Sequence, residues 1–120
     1  MLRIIAIIIG IVFIFGGVAG YMPNFTTDGV LLGYFEVDSV SNIAHIITGV
    51  LAIMASTNYD FTRLFFQLFG LVYTIVGIWG FWSNGDLFMT HVSMNDNILH
   101  LVVGVIAIYL GFSAKKSQAY

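Results

Sequence analysis

Long apolar runs, nearly free of charge, are what any fold of this chain must accommodate first. Four qualify: Leu2 to Gly20, about Val40 to Ser56, Leu64 to Trp82, and about Asn95 to Ser113. A helix needs ~20 apolar residues to cross ~30 Å of hydrocarbon, so each run reads as a transmembrane helix. Composition agrees, with 59% of residues hydrophobic and 8% charged, against roughly a quarter charged in an ordinary soluble domain. With 120 residues there is room for one compact unit. The expected fold class is an all-α membrane protein, a single transmembrane domain of four helices with the lipid bilayer as its first partner.

The runs are related in pairs. "NIAHIITGVLAI" at residues 42 to 53 returns as "NILHLVVGVIAI" at 97 to 108, with Asn, Ile, His, Gly, Val, Ala and Ile in register. At an offset of sixty, Arg3, Gly10, Val12, Gly17, Gly20 and Asn24 are matched by Arg63, Gly70, Val72, Gly77, Gly80 and Asn84. The first run also has the make-up of a secretory signal, with Arg3, an apolar stretch and the small residues of "GGVAG". A cleaved leader has no reason to resemble an internal helix, so a retained first helix is expected. The chain then divides into two hairpin repeats, 1–58 and 59–116, that point the same way. A pseudo-two-fold axis along the membrane normal relates them most simply.

Charge gives the orientation. Arg3, Arg63, Lys115 and Lys116 fall on one side if the four runs cross in turn, which by the positive-inside rule places both termini and "STNYDFTR" in the cytoplasm of an inner (plasma) membrane protein. Asp28, Glu36, Asp38, Asp86 and Asp96 lie on or beside the opposite face, where Tyr21, Tyr34, Trp79, Trp82 and Phe88 suit an interfacial aromatic belt. Pro23 ends the first helix or its outer turn. The first outer connection is the longer one, and "TTDGVLLGYFEVDS" is apolar enough to lie on the membrane surface or against the bundle.

Several kinds of chemistry are excluded. Without cysteine there is no disulfide, thiolate nucleophile, thiolate metal site or covalent haem attachment. Four basic residues and a net charge of −2 make no phosphate-binding surface, so nucleic acid is not a partner. No phosphate loop or serine triad is readable.

Glycines recur at seven-residue spacing in the first and third helices, Gly10 to Gly17 and Gly70 to Gly77, with Gly20 and Gly80 three further on and a Gly16-x-x-x-Gly20 step. Small residues let helices approach closely in a membrane, so helix packing is the first reading of this stripe and a cofactor groove the second. In the second helix, Asn42, His45, Gly49, Ala52 and Ser56 share one face. Asn97, His100, Gly104, Ala107 and Gly111 repeat it in the fourth. Polar groups are costly towards lipid, so both stripes should turn inward.

On these residues the chain resembles a family of small bacterial four-helix membrane proteins catalogued as a domain of unknown function, in which Asn-x-x-His-x-x-x-Gly opens the second and fourth helices. "NIAHIITG", "NILHLVVG" and "RLFFQLFGLVYTIVGIWG" carry the resemblance over nearly the whole chain. It implies the four-helix topology, with Asn42, His45, Gly49, Asn97, His100 and Gly104 as signature residues, and brings no activity.

Three readings of the two histidines stay open. In the first they form a polar clamp, His45 and Asn42 bonding across to Asn97 and His100 or to free backbone ends. In the second the imidazoles hold a haem iron from both sides, or share a metal with an outer carboxylate such as Asp96. The third is transport or proton movement, which usually needs a deep carboxylate; the deepest polar side chains here are Gln67, Thr48 and Thr74. His91 reads as a solvated loop residue, Ser93 and Asp96 as a helix cap, and Asp60 and Arg63 as framing the third helix. With no nucleophile and no buried carboxylate, the expected role is a non-catalytic accessory or scaffold subunit without a cofactor, working with itself or with other membrane subunits.

Overall fold

The structure is a computed structural model and describes residues 1–87 and 90–115. Four helices carry the chain: α1 (Leu2–Ala19), α2 (Ser39–Ala55), α3 (Tyr59–Trp82) and α4 (Met94–Ser113). Short strands β1 (Thr26–Thr27), β2 (Val30–Leu31) and β3 (Phe35–Glu36) lie between α1 and α2. Among the described residues, α1, α3 and α4 are long and apolar enough to cross a membrane, whereas α2 has 17 residues. At 1.5 Å per residue α2 reaches about 25 Å. Isoleucines such as Ile8, Ile75 and Ile106 are exposed along the helices, as lipid contact requires and water would penalise. Phe88 and Lys116, which the aromatic-belt and charge arguments include, lie outside the described residues.

The main difference from the expected helix limits is the start of α3. The helix begins at Tyr59 rather than near Leu64, because Asn58 is its N-cap: the side-chain oxygen accepts from Asp60 N at 2.8 Å and Phe61 N at 3.2 Å. Asp60 and Arg63 therefore sit inside the helix, and the α2–α3 connection shrinks to residues 56–58. Thr62 Oγ1 reaches back to Ala55 O at 2.8 Å, closing the turn.

α1 runs antiparallel beside α2, and α3 beside α4, so the molecule is two hairpins. Each hairpin is tied at the end that carries the chain termini. Arg3 Nε donates to Ser56 O at the end of α2, at 2.6 Å, and Arg63 Nε donates to Ala114 O at the end of α4, at 3.0 Å. A guanidinium suits this position, because the last carbonyls of a helix lack intrahelical donors and carry its negative dipole end. The two hairpins meet through side chains rather than backbone. Phe66, Phe69 and Tyr73 of α3 cluster with Leu2 and Ala6 of α1 and Ala107 of α4, and Phe13 stands edge-on to Phe69 and Tyr73, 5.6 Å from each.

At the other end, the long first connection folds into an antiparallel meander in the order β1-β2-β3. Its first turn is Asp28-Gly29, both with positive φ (53° and 76°), which is the backbone of a two-residue hairpin turn. Leu31 is buried, so the connection lies against the bundle.

Candidate functional site

Three residues along an α-helix rotate the chain by about 300°, so the Asn and His of Asn-x-x-His point some 60° apart. The two side chains go to different neighbours. Asn42 turns into its own hairpin and is 2% exposed, and a Cβ on Gly20 of α1 would fall directly on its Oδ1. Asn97 does the same against Gly80 of α3, also at 2% exposure. Further along each seam the backbones approach closely. A Cβ on Gly17 would stand 2.6 Å from Asn42 O, and one on Gly77 3.0 Å from Leu101 N. Gly10 and Gly49 oppose each other in the first hairpin, with a Cβ on either lying 2.6 to 2.8 Å from the other's carbonyl oxygen. In the second hairpin Gly70 lies against Gly104 O at 2.9 Å, and Gly104 against Thr74 N at 2.6 Å. Gly16 differs, having nothing within 4 Å of its Cβ direction. The Gly16-x-x-x-Gly20 step is therefore not a packing motif, and Gly20 alone is the seat.

The histidines turn the other way, towards the junction of the hairpins. The rings of His45 and His100 have centroids 6.3 Å apart and are tilted by 59°. Each is packed nearly perpendicular to an aromatic ring, His45 to Phe13 at 5.5 Å and His100 to Tyr73 at 5.3 Å. The Tyr73 hydroxyl is fixed in turn by Thr48 Oγ1 at 3.1 Å. Thr48 gives its own proton to Ala44 O at 2.8 Å, so Tyr73 is the donor of that pair.

The bonded clamp expected from the sequence is not what this geometry contains. Among the described residues, Asn42 Oδ1, Asn97 Oδ1 and His100 Nδ1 are buried without a hydrogen-bond partner. The helical rotation is the reason, since it sends the amides into glycine seats while the imidazoles face each other. A bond from either amide to the far histidine would have to cross the seam.

His45, His100 and Asp96 line one pocket of ≈ 120 Å³, walled by Phe13 and Leu99 and covered from the first outer connection by Leu31, Phe35 and Val37. Asp96 is 5% exposed, which corrects the expectation of no buried carboxylate, because its place in the first turn of α4 turns it inward; its carboxylate is already engaged. Oδ2 accepts from Ser93 N at 2.9 Å and Ser93 Oγ at 2.8 Å, while Ser93 Oγ accepts from Asp96 N at 3.2 Å, a capping box at the start of α4. No three His, Asp or Glu side chains converge as a metal set among the described residues.

The cover is stitched to the second hairpin. His91 Nδ1 lies 2.8 Å from Asp86 Oδ1, and its Nε2 lies 3.4 Å from Glu36 Oε2 of β3. Its pKa is raised, first by the hydrogen bond to Asp86 and then by the charges of Glu36 and Asp86. Asn95 Nδ2 donates to Tyr34 O at 2.9 Å, and Thr90 Oγ1 donates to Asp38 Oδ2. Burial alone would raise the Asp38 carboxyl, but hydrogen bonds from Thr90, Ser41 and Val40 outweigh it and hold the carboxyl below its ordinary value. His91 is solvated, as its loop position implies, but it also bridges two acids, and the meander beside it was not legible as strands. The Asp28-Gly29 pair between "TT" and "VL" was the available signal.

The sequence model of a family described as Domain of unknown function (DUF4383) matches residues 3–113, and the chain belongs to that family. No curated protein and no solved structure matches it.

Proposed function

Taking membership of a family without assigned activity as the premise, we propose that this protein is a non-catalytic integral membrane subunit of the inner (plasma) membrane, working as a homo-oligomer or as an accessory or scaffold within a larger membrane complex. It crosses the bilayer four times as two parallel hairpin repeats, 1–58 and 59–116, related by a pseudo-two-fold axis along the membrane normal, with both termini cytoplasmic. α2 is short, but it lies along α1 from the Gly20–Asn42 contact past Gly10–Gly49, and so crosses where α1 crosses. The repeat is supported by equivalent seats in the two hairpins, Gly20 under Asn42 and Gly80 under Asn97.

The observation that carries the role is how the buried polar groups are used. Asn42 and Asn97 fill helix seams, Thr62 closes a turn and Asp96 caps α4, while the outward surface of the helices is apolar. Such a molecule offers surface for partners, and among the described residues the buried polar groups outside the imidazole pair are taken up by helix packing and capping. A haem held by the two imidazoles is the alternative reading; the pocket they line, ≈ 120 Å³, is smaller than the ~300–1,000 Å³ of typical small-molecule sites and so favours the reading without a cofactor.

Mass measurement in mild detergent or nanodiscs tests the role. The expected result is a colourless assembly larger than one chain. A strictly monomeric protein that turns over a substrate, or one purified with a Soret band, would refute it. Labelling of Tyr34→Cys from outside only and Lys115→Cys from inside only is the expected topology; labelling of both from one side would overturn it.

A further inference from the structure

We propose that His45 and His100 form a binding site for one soft monovalent cation, Cu(I) or Ag(I), reached from the outer face. Such a site stands whether or not the protein is a subunit of a larger assembly. A pocket of ≈ 120 Å³ is small for a macrocycle, yet it far exceeds the ~10–15 Å³ that one water requires. A small occupant suits it, and the two imidazoles in its wall favour a cation. Spacing is compatible with one ion shared by the two rings. With a metal–imidazole bond of ~2.0–2.1 Å and the ring centre about 1.1 Å behind its nitrogen, two imidazoles in line on one ion stand roughly 6 Å apart centre to centre. The observed separation is 6.3 Å. At a tetrahedral angle the centres would close to roughly 5 Å.

Ligand count points the same way. Only two imidazoles are offered among the described residues, since no third His, Asp or Glu completes a metal set and Asp96 is occupied by its cap. Zn(II) demands four ligands, and Mg(II) and Ca(II) demand shells of oxygen. Monovalent d¹⁰ ions of copper and silver accept two nitrogen donors in a line. Charge agrees as well, because a single positive charge is far less costly to bury than two, and the Asp96 carboxylate in the same pocket balances it. His100 Nδ1 is buried without a partner, in a side chain 9% exposed, and so has a nitrogen to give. Phe13 and Tyr73 pack against the two rings at 5.5 and 5.3 Å, and Glu36 and Asp38 flank Val37, which lines the pocket from the outer connection.

The test uses the purified full-length protein, loaded with Ag(I), or with Cu(I) under a reductant and a competing chelator, and then desalted for metal counting. One ion per chain is expected. His45→Asn and His100→Asn should each weaken binding by more than the ~10–100-fold that loss of an outer-shell partner costs, while His91→Asn leaves it unchanged and Zn(II) is not retained. Absence of binding at micromolar ion would overturn the proposal, as would retention in the double His45→Asn, His100→Asn variant, dependence on His91, or tighter holding of Zn(II). Should the variants fail to fold, carbethoxylation of His45 and His100 in the wild-type protein decides instead. Protection by Ag(I) supports the site, and an unchanged rate defeats it. Either result leaves the assembly mass unaffected, so the two readings fail separately.

Discussion

The seam within each hairpin and the seam between the hairpins are made of different materials. Within a hairpin, glycine faces backbone: Gly49 meets Gly10 O and Gly104 meets Thr74 N, leaving no space for a single added carbon. Between hairpins the contact is ring against ring, through Phe13, Phe69 and Tyr73, and a groove of ≈ 380 Å³ remains open between α2 and α3 beside Phe65 and Tyr73. The difference follows from the solvent. In lipid no hydrophobic force drives two helices together, so close van der Waals approach must do it, and glycine permits the closest. Side-chain seams are softer, because a ring can turn where a carbonyl cannot move. The rigid parts of this protein are its hairpins, and the imidazole pair sits where the rigid parts meet.

The largest effects should come from closing the glycine seams. Gly49→Ala and Gly104→Ala each place a Cβ 2.6 Å from backbone of the neighbouring helix, Gly10 O and Thr74 N. Overpacking of this kind costs about 1–3 kcal/mol, and because backbone must part here the upper end is expected. Unfolding in detergent measures it. Gly16→Ala is the control, with nothing within 4 Å, and should be neutral or gain up to ~1 kcal/mol from helix propensity. Equal losses at all three positions would end the contrast between seams.

Next comes the amide seat. A Cβ on Gly20 falls on the end of the Asn42 side chain rather than on backbone, so Gly20→Ala should be partly relieved by Asn42→Ala. Contacting pairs show coupling of ~0.5–3 kcal/mol, and a double-mutant cycle should find a value in that range. The same cycle at Gly80 and Asn97 should agree with it if the hairpins are equivalent; no coupling in either would show that the amides do not depend on these seats.

This division also marks what the sequence disclosed. Apolar runs of nearly twenty residues and glycines repeated at fixed offsets are one-dimensional signals, so the helices and the small-residue seams were legible. Which neighbour each polar side chain chooses was not. A common face for Asn42 and His45 follows from spacing, yet the 60° between them decides that one enters a glycine seat and the other the hairpin junction. Bonds across the seam were expected because buried polar groups usually pair; rotation about the helix axis overrode that pairing. The meander was lost for another reason, since strands of two residues carry no periodicity and only the Asp28-Gly29 turn betrays them.

Between hairpins the expected effects are smaller. Tyr73→Phe keeps the ring against Phe13 and Phe69 and removes only the hydroxyl bond to Thr48, 3.1 Å long. Interhelical bonds of this kind in membranes average ~0.6 kcal/mol, and a loss of that order should appear on unfolding. A loss as large as that of Gly104→Ala would mean that the between-hairpin seam is as unforgiving as the glycine seams.

The smallest effect belongs to the outer connection, where the hairpins are joined by exposed charge. His91 bridges Asp86 of its own connection and Glu36 of the meander, and its pKa is raised, first through the Asp86 hydrogen bond. A histidine with a raised folded-state pKa contributes stability that is complete below its ordinary value of 6.5 and is lost as pH rises through the higher folded value. Asp38 is held the other way, below 3.8, so its contribution is present above that value and constant through the histidine's range. Hydrogen-exchange protection of residues 26–38, corrected for the base-catalysed intrinsic rate, should therefore be greater on the acid side of neutrality than on the alkaline side, and His91→Gln should flatten the difference. The pair is solvent-exposed, and exposed pairs are weak and screened by salt, so added salt should shrink the wild-type contrast. The seams within the hairpins, which are lined by glycine, amide and backbone, should show no matching change. A pH response that survives His91→Gln, or one spread equally over α1 to α4, would place the sensitive group inside the bundle instead of at its outer mouth.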